Sequence, residues 1–182
     1  MGPLMFITDV CNGGKGFPSI GVDPSSDQTR SRVYALCHDG SRAGPFVMRS
    51  DDGGNRWPDP VHVPKTLPTD GTNQRALSNL AVNRDGVLAV TWHDRGSDPA
   101  GKCWDVLVAF SADGESFTGA QKVSTKPSCP ATPGNGWAAE RHPWGGDYSG
   151  LVAAADGAFH LLWADSRGER YELRTAQVRV TR

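Results

Sequence analysis

Three short clusters in this chain set a carboxylate beside an imidazole or a guanidinium: His38-Asp39, His93-Asp94-Arg95 and Asp165-Ser166-Arg167. A longer stretch, Gly136 to Tyr148, adds Trp137, Glu140, Arg141, Trp144 and the pair Asp147-Tyr148. Planar guanidinium groups grip a carboxylate through parallel hydrogen bonds. Indole faces offer flat platforms on which the C–H surface of a sugar ring can lie. Asp147-Tyr148, between two glycines and the start of a strand, is the most site-like constellation. The chain has no P-loop, no G-x-S-x-G elbow, no H-E-x-x-H and no complete G-x-G-x-x-G, which turns the reading away from phosphoryl transfer, zinc hydrolysis and dinucleotide chemistry. No cofactor is expected. A metal site is not expected either, because Cys11, Cys37, Cys103 and Cys129 form no C-x-x-C pair and no His stands at zinc-finger spacing.

The elements that must carry these residues show themselves as a repeat. Val33 to Asp39 (VYALCHD), Leu88 to Asp94 (LAVTWHD) and Phe159 to Asp165 (FHLLWAD) read alike, which makes Cys37, Trp92 and Trp163 equivalent positions. Before the second and third lie Asp85-Gly86 and Asp156-Gly157, hairpin-turn dipeptides. Shorter apolar runs precede those: Ile20 to Asp23 in the first copy, Leu80 to Asn83 in the second, Leu151 to Ala154 in the third. Each copy therefore opens with a two-strand hairpin. A third strand follows at Pro45 to Arg49, Trp104 to Phe110 and Tyr171 to Val178, and a fourth at Val61 to Val63 and Gln121 to Val123. The shared aspartates stand at positions 39, 94 and 165, wider than the about 40 to 50 residues of common propeller repeats. The excess falls in the loops Pro64 to Ala76 and Ser124 to Asp147.

Composition agrees with an all-β reading. With 22 Gly and 13 Pro in 182 residues, long helices are disfavoured. A hydrophobic share of 37% is too high for a disordered chain. The formal charge of −1 supplies no electrostatic case for nucleic acid or acidic membranes, and no apolar run approaches a membrane span. Met1 to Val10 shows no basic region followed by a long apolar run, so no secretion signal is visible.

The most specific motif lies between the third and fourth strands. Ser50-Asp51-Asp52-Gly53-Gly54-Asn55-Arg56-Trp57 fits S-x-D-x-G-x-x-W, and Ser111-Ala112-Asp113-Gly114-Glu115-Ser116-Phe117 is a shortened version. This resembles the Asp-box, or BNR, repeat of sialidase-like propellers. The resemblance covers about residues 17 to 178 and implies a single partial β-propeller domain. Its blades of four antiparallel strands fall at about 17–63, 77–123 and 147–182, three of a six-bladed ring that more chain, or a second copy of this one, would complete.

In such blades the Asp turns are scaffold at one end, and the other loops gather on the opposite rim. The resemblance implies an exo-α-sialidase-type glycoside hydrolase acting on a glycan. Arg75, Arg95 and Arg141 would clamp the sugar carboxylate, Asp147 or Asp94 would serve as acid, Tyr148 as nucleophile and Glu140 as its partner. Trp137 and Trp144 would be sugar platforms. The bland reading stands beside it: Asp39, Asp94 and Asp165 recur once per repeat, as scaffold does, and the two tryptophans could plug gaps between blades. His38 and His93 read as polar contacts between blades. The blade arrangement also brings Cys103 and Cys129 to the same rim and favours their disulfide over the other pairings or four free thiols. A non-catalytic propeller binding a glycan or a protein is the second hypothesis, and a β-sandwich carbohydrate-binding module with Greek-key pairing the third. The family resemblance favours a secreted or periplasmic protein.

Overall fold

The computed structural model describes residues 18–25, 32–38, 44–64, 75–95, 98, 100, 102–129, 146, 148–168 and 170–180, of which 75 and 76 by backbone alone. The described strands make three separate antiparallel sheets. The first holds β1 (Ser19–Val22), β2 (Val33–His38), β3 (Pro45–Ser50) and β4 (Val61–His62) in that order. The second holds β5 (Arg75–Val82), β6 (Leu88–Asp94), β7 (Asp105–Ser111) and β8 (Gln121–Lys122). The third holds β9 (Gly150–Ala153), β10 (Phe159–Asp165) and β11 (Glu172–Val178). No helix among the described residues is long and apolar enough to cross a membrane.

Every strand the repeat predicts is found, with ends moved by a few residues. The largest difference is β5, which begins at Arg75 rather than Leu80. The sheet pairing continues through a bulge, with Arg75 opposite Asp94 and Ala76 opposite His93, before the register shifts and resumes at Asn79. Leu77 absorbs the bulge with a left-handed φ of 48°. Trp104 forms an isolated bridge to Ser128 instead of opening β7.

Side chains alternate across a strand, and this alternation divides the second sheet between two seams. Leu88, Val90 and Trp92 of β6, with Leu107 and Ala109 of β7, face Tyr34, Leu36 and Val47 of the first sheet. Their opposite-facing neighbours Ala89, Val106, Val108 and Phe110 pack on Leu151, Phe159, Leu161 and Trp163 of the third. Every residue of β6 and β7 is buried as a result. The first strands of the sheets lie side by side, β1 against β5 and β5 against β9. Gly21 permits this approach: a Cβ there would stand 2.5 Å from Leu80 Cδ1. The third sheet keeps one open face, on which Val152, Leu162 and Leu173 are exposed.

The turns after β3 and β7 are built by short side chains that replace water at backbone N–H groups. Ser50 Oγ accepts from Gly54 N at 2.8 Å, and Asp52 Oδ1 accepts from Asn55 N and Arg56 N at 2.9 Å each. Trp57 Nε1 donates back to the Gly54 carbonyl at 2.9 Å. In the second turn Ser111 Oγ accepts from Gly114 N, and Asp113 Oδ1 accepts from Glu115 N and Ser116 N. Gly114 combines a φ of 74° with a site where a Cβ would meet Tyr34 Cε1 at 2.5 Å, so both the turn and the seam require glycine. Arg49 Nη1 crosses from the first sheet to the Asp113 carbonyl at 2.9 Å and to Glu115 Oε1 at 2.5 Å. The two sheets are thereby clasped at the Asp-turn end.

Burial opposes ionisation of Asp113, but the bonds from Glu115 N, Ser116 N and the Ser111 and Ser116 hydroxyls outweigh it and hold the carboxyl at about 2, against 3.8 ordinarily. A depressed folded-state pKa stabilises fully above the unfolded value, and that stabilisation fades as pH falls from about 4 towards 2. Asp113→Asn should therefore lower the urea midpoint at pH 7 and flatten its decline between pH 4 and 2. Parallel declines for variant and parent would show that this carboxylate does not contribute.

Candidate functional site

At the end of the sheets opposite the Asp turns, β6 runs out through Asp94 and Arg95 into a loop organised by Asp98. The Asp98 carboxylate accepts backbone N–H bonds from Cys103 at 2.8 Å, Lys102 at 2.6 Å and Ala100 at 3.0 Å. The Cys103 bond leads in holding this carboxyl below its usual range. Cys103 is joined to Cys129, the expected pairing. Beside the disulfide, Trp104 and Ser128 exchange backbone hydrogen bonds of 2.7 and 2.8 Å. Ser128 continues the connection to the third sheet, where its Oγ accepts from Ser166 N at 2.9 Å. Cys37 is also disulfide-bonded, which rules out the alternative of four free thiols; its partner lies outside the described residues.

Arg95 lies on this scaffold as a stacked cation. Its guanidinium carbon is 4.1 Å from the centre of the Trp104 ring, and its Nε is buried without a hydrogen-bond partner. Burial lowers its proton affinity, and the Asp98 charge opposes that. A stack of this kind fixes the plane of the guanidinium and leaves its edge for a planar anion.

The repeated aspartates are turned the other way. Asp94 is 1% exposed and accepts from its own Trp92 Nε1 at 3.1 Å; Asp165, equally buried, accepts from Trp163 Nε1 at 3.1 Å. The i, i+2 spacing puts each pair on one face of its strand. Arg167 completes Asp165 with a forked pair, Nε to Oδ1 at 2.9 Å and Nη2 to Oδ2 at 2.6 Å. Burial would raise the Asp165 carboxyl, but Arg167 and the indole hold it below the usual range. Asp94 and Asp165 thus each accept from the indole of their own strand.

Tyr148 stands 89% exposed just ahead of β9. Ser149, next to it, accepts from Asn79 Nδ2 at 2.6 Å and donates to the Leu77 carbonyl at 3.3 Å. Asp147, Glu140, Arg141, Trp137 and Trp144 lie outside the described residues, as does the Arg75 side chain. His93 does sit between two sheets as expected, but without the expected polar contact: it is buried with neither ring nitrogen partnered. Burial drives its pKa down to about 4 against the pull of Asp165. Among the described residues no group of three or more His, Cys, Asp or Glu could hold a metal ion. Sequence reasoning missed Trp104 and Asp98 as partners of Arg95; the adjacency of Trp104 to a rim cysteine was the available signal.

No protein-family model and no curated protein sequence matches the chain. Solved structures do resemble it. An N-acetylgalactosamine deacetylase from F. plautii, crystallised with blood group B trisaccharide, superposes with a TM-score of 0.53 at 11% identity over 90% of this chain and 53% of that one. A Hadza microbial sialidase gives 0.48 at 18% identity over 87% and 30%. The intramolecular trans-sialidase from Ruminococcus gnavus, in complex with oseltamivir carboxylate, gives 0.46 at 16% over 93% and 33%. The chain spans between about a third and about half the length of these structures, and at such identities the likeness is one of fold.

The disulfide closes a loop with a sequence separation of 26, for which chain entropy suggests about 3 kcal/mol. Replacing both Cys103 and Cys129 by Ser should lower unfolding stability by about that amount in urea titrations. A loss below about 0.5 kcal/mol would mean that the Trp104–Ser128 bridge holds the rim unaided.

Proposed function

We propose that the three sheets are blades of a sialidase-like propeller and that the rim opposite the Asp turns binds a glycan bearing a carboxylate, with Arg95 as the residue that grips it. One observation carries this reading: Arg95 is partly desolvated and stacked on Trp104, with no carboxylate in hydrogen-bond contact among the described residues. Asp94 beside it serves Trp92, and Asp165 is taken up by Trp163 and Arg167. A cation partly removed from water gains from an incoming anion, and Asp98 acts on Arg95 without a direct ion pair. The propeller reading is supported by the serial packing of like sheets, by the side-by-side first strands, and by the open apolar face of the third sheet, where a next blade would pack.

The exposed phenol of Tyr148 favours a second reading on the same rim, in which the bound glycan is cleaved. Tyr148 would attack the anomeric carbon as Glu140 draws off its proton, and Asp147 would protonate the departing oxygen, a departure from the usual two-carboxylate scheme. Arg75 and Arg141 would share the carboxylate with Arg95, and Trp137 and Trp144 would support the rings.

The chain should bind sialyllactose and not lactose in calorimetric titration, and Arg95→Ala should weaken binding by at least about tenfold, as loss of a charged hydrogen-bond partner does. Equal affinity for both sugars would overturn the reading. For cleavage, Tyr148→Phe should reduce turnover of a fluorogenic sialoside by at least about a hundredfold while leaving binding intact. Unchanged turnover would remove Tyr148 from the chemistry.

A further inference from the structure

We propose that a single water molecule is bound between the second and third sheets near the rim, held by His93 together with the hydroxyls of Thr91 and Ser149. His93 is 2% exposed, and neither Nδ1 nor Nε2 has a hydrogen-bond partner. A neutral imidazole always presents one N–H donor and one acceptor, and leaving both unmade in a buried seam costs free energy. The ring lines a cavity whose wall also includes Thr91, Ser149, Leu77, Leu161 and Trp163. The cavity leaves about 10 Å³ for the centre of a water molecule, which is the room one water needs and far too little for a sugar.

The polar groups around the cavity select the occupant. His93 is buried and neutral, so its ligand must both donate and accept, as water does. The charge of Asp165, the acidic group felt by His93, is already met by Arg167, so it leaves no call for a cation. Thr91 lies two residues before His93 on the same face of β6 and contributes a hydroxyl. Ser149 Oγ donates to Leu77 O and accepts from Asn79, which leaves a lone pair for a third bond. A water here reaches three polar partners, the usual number for buried water. At the far end of the same seam the Phe110 and Phe159 rings meet, with centroids 5.8 Å apart, and the buried Asn83 amide already donates to the Gly157 carbonyl at 2.9 Å.

Water-selective nuclear Overhauser spectra on the whole chain test this. Cross-peaks of bound-water sign are expected at the His93 ring protons and the Thr91 methyl, with loss of the methyl peak in His93→Leu and weaker ring peaks in Thr91→Val, which keeps the shape of the side chain. Absence of these cross-peaks in the parent protein would overturn the proposal by itself, whether or not the variants fold. Cross-peaks of unchanged strength in both variants would overturn the assignment to these groups.

Discussion

Two successive sheets share an interaction that the rest of the structure is arranged around: an indole N–H of β6 or β10 bonded to the carboxylate two residues further along the same strand, at 3.1 Å in both. An indole is large enough to fill a seam between sheets, but burying it requires a partner for its N–H. A carboxylate is costly to bury unless its oxygens are hydrogen-bonded. Each residue resolves the other's difficulty. The pairing lets Trp92 and Trp163 occupy their seams and places an anionic anchor where each second strand meets the rim. In the first sheet the equivalent position is Cys37, and a disulfide takes the place of the indole.

The two ends of the sheets follow different physics. At the Asp turns, backbone N–H groups are captured by Ser and Asp side chains within the turn itself, and arginine joins neighbouring turns across the seam. That end is locally self-sufficient. At the rim, the loops are held by longer connections: the Cys103–Cys129 disulfide, the Trp104–Ser128 bridge and the Ser128–Ser166 contact. The rim therefore depends on the second and third sheets being stacked, and it is there that Arg95 lies on Trp104 with the Asp98 charge acting on it.

Much of the fold was legible because strand alternation and turn chemistry are local. The Asp85-Gly86 and Asp156-Gly157 turns mark two hairpins, and Gly86 and Gly157 adopt left-handed φ values of 77° and 84°. The W-x-D repeat correctly aligned the strands that face equivalent seams. Of its aspartates, Asp94 invited two readings, acid or scaffold, and only the folded chain shows the Trp92 indole turned towards it. The bulge at Leu77 was not legible, since nothing in Arg75-Ala76-Leu77-Ser78 breaks the strand pattern. The partnership of Arg95 with Trp104 was likewise hidden, because residues nine apart meet only after the Asp98 loop folds back.

What the amino-acid order determined by itself was the succession of strands, the face each side chain takes and the places where the chain reverses. These depend on a two-residue period and on turn residues that satisfy their own backbone. Tertiary structure alone decided which charges remain available. Asp94 and Asp165 were withdrawn into the seams, whereas Arg95 was flattened on Trp104 at the rim. Whether a charged group keeps a partner depends on which neighbour reaches it once sheets are stacked, and no local pattern encodes that distance.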